Sequence, residues 1–235
     1  MNSNNVLDKD PVKKWAIRLM MIAFVILLVQ NGALVIFLGY LIVPFYIIDV
    51  IGFLLLAVGY LLYSSQKVEK KQYYFLGGLC LLGWAICRVL YQFIIPLLLL
   101  PQLLEECTSY PNILSIHFDF FLGYTCPSLP LWTTAATAMT NFIFLGGLVL
   151  ALGSIVIWRT QKDKKGQIIF MVYGVCNAIV ITLFALTRFP AVNVSAPFES
   201  IGGTILYLAK GFIVPLLGVI AFFLMLRQTY KAEDI

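Results

Sequence analysis

"ILYLAKGFIVPLLGVIAFFLMLR" (Ile205–Arg227) decides the fold. Apart from Lys210 and the closing Arg227 it carries no charge, and as a helix it is long enough to cross about 30 Å of hydrocarbon. An ammonium group at membrane depth is costly, so Lys210 calls for a partner or a purpose.

The rest of the chain reads the same way. It has 235 residues, 61% of them hydrophobic and only 11% charged, against about 25% charged in an ordinary soluble domain. Mean hydropathy is +0.95. A water-exposed surface cannot hide that much apolar side chain, but a bilayer can. The sequence therefore predicts an all-α polytopic membrane protein, one integral membrane domain over 1–235. The net charge of +5 includes no basic run interleaved with aromatics, so nucleic acid is not an expected partner. The basic start (Lys13, Lys14, Arg18) resembles a signal-peptide n-region, but no small-x-small cleavage site follows, so the first apolar run reads as a retained span.

Six spans are expected, at roughly 15–36, 42–63, 73–96, 134–157, 167–188 and 203–226. The first two share one continuous run that must turn near Gly39 to Pro44. Lys and Arg placement sets the orientation. Lys9, Lys13, Lys14, Arg18, Lys67, Lys70, Lys71, Arg159, Lys162, Lys164, Lys165, Arg227 and Lys231 all fall on one side of a six-span chain. Both termini are then cytoplasmic, in the cell membrane. A long external loop covers about 97–133, and a second covers 189–202. In the latter, Asn193-Val194-Ser195 is a glycosylation acceptor pattern on the correct side.

"SSQKVEKKQYYF" (64–75) resembles "RTQKDKKGQIIF" (159–170), and the two ends of the chain look like halves of a third such junction. Three pseudo-repeated hairpins would explain this. So would the plain need for lysine-rich turns on one side. Internal repeats are common in transporters, with a site near the repeat interface.

Cys80, Cys87 and Cys176 fall within spans as packing residues. Cys107 and Cys126 share the external loop, where a disulfide would contribute roughly 3 kcal/mol by loop-closure entropy. His117, Asp119 and Glu106 lie nearby, but one histidine with scattered carboxylates is not a metal signature. No metal or other cofactor is implied. The aromatics of "HFDFFLGY" (117–124) suit the headgroup boundary or a docked partner.

The remaining polar residues share a depth. At about 1.5 Å per residue, Gln30, Asn31, Asp49, Arg88, Asn141 and Lys210 all fall in the outer half of the membrane. Gln92 lies one turn beyond Arg88. Asp49 is the acid available to both cations, which predicts a buried Asp49–Arg88 or Asp49–Lys210 pair. Gln30, Asn31, Gln92 and Asn141 would satisfy leftover donors. Such a network could simply fix helix register. Two cations against one anion could also hold an anionic ligand.

Several chemistries are excluded by what the spans lack. Lys210 in the last of six spans does not suit a retinal cage. One histidine cannot give bis-histidine haem. No Ser-His, Cys-His or paired-Asp set supports intramembrane hydrolysis, and GxxxxGK[ST] is absent. Glycines such as Gly52, Gly59, Gly77, Gly78, Gly146, Gly147 and Gly153 permit close helix contact, within the bundle or with a partner. Pro44, Pro96 and Pro215 kink or end helices. Two functions follow. The first is an integral subunit or scaffold of a larger membrane complex, with protein partners or its own copies around it in the lipid. The second is a small solute carrier or substrate-binding component with an outward-facing anion site.

Overall fold

The computed structural model describes residues 11–36, 43–95, 97–98, 130–161, 164–188, 205–206 and 208–233. Cys107, Cys126, Asn193, His117 and most of residues 97–133 lie outside them. Among the described residues the chain is all helical. The helices are α1 (Pro11–Ile36), α2 (Val43–Ser64), α3 (Lys71–Val89), α4 (Pro130–Thr160), α5 (Lys165–Arg188) and α6 (Val214–Glu233). Two five-residue π turns add to them: π1 (Leu90–Ile94) continues α3, and π2 (Ala209–Ile213) opens α6. Six helices are long and apolar enough to cross a membrane. Lipid offers backbone groups no hydrogen bonds, so each span satisfies its own.

The sequence expects Pro96 and Pro215 to kink or end their helices, and the disturbance takes the form of a π turn before each. Proline explains them. Phe93-Ile94-Ile95-Pro96 and Phe212-Ile213-Val214-Pro215 match in sequence. They also match in register: the N–H just before each proline reaches five residues back, Ile95 to Leu90 and Val214 to Ala209. Proline has no N–H and crowds the carbonyl four residues earlier. Widening the preceding turn by one residue relieves that crowding.

Each helix packs against its neighbours in sequence, and α6 closes onto α1, so the six form a ring. Contacts run antiparallel: Gly52 lies against Leu27 and Gly59 against Met20, while Gly77 meets Ile157 and Gly153 meets Cys80. All six helices line the interior, through Phe24, Phe53, Trp84, Leu150, Phe170 and Phe222 among others. Phe222 is central, with ring centroids 6.4 Å from Phe24, 6.4 Å from Phe53, 5.9 Å from Phe170 and 5.1 Å from Tyr173. The outside is apolar all round, with Val29, Ile51, Leu79, Leu148, Ile179 and Phe223 exposed. A monomer in water does not show such a continuous surface, so lipid is its solvent.

At the end holding the lysine-rich junctions, short polar links tie the turns together. Ser64 Oγ donates to the Leu61 carbonyl at 2.6 Å, capping α2. Lys70, left-handed at φ 57, begins α3 and donates from Nζ to the Thr160 carbonyl at 3.1 Å. The two junctions of similar sequence therefore touch. Cys80, Cys87 and Cys176 are free thiols, and no disulfide is seen among the described residues.

Most of the glycines whose surroundings are described face neighbouring helices inside the bundle. A Cβ on Gly78 would lie 2.9 Å from Leu61 Cγ and 3.1 Å from the Ala57 carbonyl. Gly78→Val should therefore push α3 off α2 and cost about 1–3 kcal/mol. Gly32, where a Cβ meets nothing within 4 Å, should gain about 0.5–1 kcal/mol as alanine. Denaturant titration of the detergent-solubilised variants checks both, and equal effects at the two sites would refute the packing account.

Candidate functional site

The ring interior is apolar at the level of Phe222 and polar beyond it, away from the junctions. Asp49 lies on α2 and is 3% exposed. Arg88 lies opposite on α3. Its Nη2 is 2.7 Å and its Nε 2.8 Å from the same Asp49 Oδ2, a charge-assisted contact made with two N–H groups. Arg88 Nη1 donates to the Tyr91 hydroxyl at 2.7 Å. The guanidinium also lies 5.1 Å from the Trp84 ring centre and 5.9 Å from that of Tyr91, within cation–π range. Spacings of three and four residues put Trp84, Arg88 and Tyr91 on one face of α3 and π1.

A second cluster faces this pair from α1 and α5. Gln30 and Asn31 are both buried, at 2% exposure. Asn31 Nδ2 donates to the Leu27 carbonyl at 2.8 Å and to Gln30 Oε1 at 3.0 Å. Tyr173 reaches across with its hydroxyl, accepting from Asn177 Nδ2 at 3.4 Å. Gly218 on α6 makes room, since a Cβ there would strike Asn31 and the Tyr173 ring.

Two expected members depart from the expected pattern. Asn141 is exposed on α4. Its depth fits, but the buried face of α4 runs through Ile143, Gly146, Gly147 and Leu150, and Asn141 points elsewhere on the helical wheel. Gln92, in the middle of π1, is 7% exposed, and neither atom of its amide has a partner among the described residues. The buried indole N–H of Trp84 is unpartnered in the same sense. Lys210 lies half-buried on π2, which packs against α5 and α1.

Sequence reasoning passed over Trp84, Tyr91, Tyr173 and Asn177. The helical spacing from Arg88 pointed to the first two. Nothing in the sequence singled out Tyr173, because a tyrosine in a span reads as an apolar ring until its hydroxyl is placed. The interior thus offers a neutralised charge pair, tyrosine hydroxyls and several amides at one level. No family model matches the chain, and neither the curated proteins nor the solved structures contain a match.

Proposed function

We propose that the protein is a small membrane carrier, or a substrate-binding membrane component, that takes a small polar solute into the ring from the side away from its lysine-rich junctions. One observation carries this reading: buried charged and hydrogen-bonding side chains from α1, α2, α3 and α5 converge inside a ring whose outside is apolar. Ionisable groups at membrane depth mark solute or ion pathways by default. Two π turns of matched sequence, on helices three places apart in a ring of six, add to it. Such turns gather at functional sites.

Charge placement supports an N-in, C-in arrangement in the cell membrane with the polar layer in the outer half. Any three-hairpin repeat has to accommodate π turns that recur at a spacing of three helices, not two. The subunit or scaffold function comes second. It drew on glycine faces for partners, and of the glycines whose surroundings are described Gly32 alone has open space. An anion site also loses ground, because Asp49 takes two of the Arg88 N–H groups.

Thermal unfolding of the purified protein against a panel of small anions, zwitterions and neutral amides tests the proposal. At ten times its Kd, a true ligand raises the folded-to-unfolded ratio about tenfold. No response to any solute, together with a stoichiometric co-purifying subunit, would replace the carrier with the scaffold.

A further inference from the structure

Among the described residues, Gln92 is the one buried amide of the polar layer with both of its side-chain atoms unpartnered, and it is more than nine-tenths buried. Buried polar groups in native proteins are nearly always hydrogen-bonded, and each exception asks for an explanation. In hydrocarbon surroundings the demand is stronger, since solvent is not at hand to substitute. We propose that Gln92 is the specificity-determining residue of the site and recognises an uncharged solute bearing a carboxamide-type head. This rests on the carrier reading above.

The chemistry follows from what the site offers. A primary amide presents a C=O acceptor and an N–H donor side by side. Its complement is a group with a donor and an acceptor equally adjacent, as in a carboxamide, a lactam or a urea. Asp49 and Arg88 offset each other's charge, which favours the uncharged form beside them. Arg88 gives Nε–H and Nη2–H to Asp49 and Nη1–H to Tyr91. A carboxylate would have to compete with Asp49 for those donors. Bringing an uncompensated charge to that depth also costs more than bringing a neutral head.

The test uses the full-length protein in detergent, read by thermal unfolding with acetamide, N,N-dimethylacetamide, acetate and inorganic phosphate. Acetamide is expected to stabilise, by about tenfold in the folded-to-unfolded ratio at ten times its Kd. N,N-dimethylacetamide, which has no N–H, should do so more weakly. Gln92→Met keeps the length of the side chain and removes both orphaned atoms. It should fold at least as stably as the parent and lose the acetamide response. A structural glutamine predicts the reverse. If Gln92→Met and Gln92→Leu both lower the folded-to-unfolded ratio more than tenfold, or do not fold, the amide has a structural partner and the proposal falls. An acetamide response retained in Gln92→Met would place binding elsewhere and also overturn it. Stabilisation by acetate or phosphate but not acetamide would leave the carrier reading standing and remove the uncharged class. Silence from every probe would remove both.

Discussion

Arg88→Met is expected to destabilise the protein by about 3–5 kcal/mol, because it leaves Asp49 charged, buried and alone. Asp49 is 3% exposed and receives two N–H groups of the same guanidinium. Removing Arg88 also strips the Tyr91 hydroxyl of a donor at 2.7 Å and the Trp84 ring of its cation. Asp49→Leu should do comparable harm by orphaning the guanidinium. The double variant should lose far less than the sum of the two, since replacing both members of a buried pair with apolar residues is often near neutral. Chemical unfolding of all four proteins in one detergent gives the coupling energy directly. Additive losses would mean that the pair is not an energetic unit, and the polar layer would lose its centre.

The second large effect belongs to Phe222. Its ring touches four other aromatic rings, contributed by α1, α2 and α5. Phe222→Ala should cost about 3–5 kcal/mol, from lost burial and from a cavity that six helices cannot all collapse into. Aromatic pairing adds to the loss. Phe223 is the internal control: same chemistry, next position, but 54% exposed. Phe223→Ala should change stability by no more than about 0.5 kcal/mol. If the two substitutions cost the same, the ring does not close as described.

Much of the fold was legible because it follows from one-dimensional quantities. Hydropathy over about 20 residues finds a span, and span ends are marked by lysine and proline, so the six helices lie close to where they were expected. Depth is also one-dimensional, which is why counting alone leads to an expected common level for Gln30, Asn31, Asp49 and Arg88; the structure pairs Asp49 with Arg88 and Gln30 with Asn31. Azimuth is not. Asn141 shares their depth and faces outward, because all sides of a membrane helix are apolar and the sequence carries little record of which side turns in. The same ambiguity hid Tyr173. The glycines were visible as contact points but not as contacts with particular neighbours. Gly218 clears space for Asn31 and Tyr173, a fact that belongs to three helices at once. The π turns escaped because proline announces a disturbance without saying how the backbone absorbs it.

The closing contact of the ring joins the helices furthest apart along the chain. A ribosome delivers α1 first and α6 last, so the α1–α6 seam is sealed only after synthesis of the whole bundle. Until then Asn31, destined to lie against Gly218 and Tyr173, stands on an unsealed edge beside lipid. The polar layer is therefore completed last, when the sixth helix docks and brings Gly218 against Asn31.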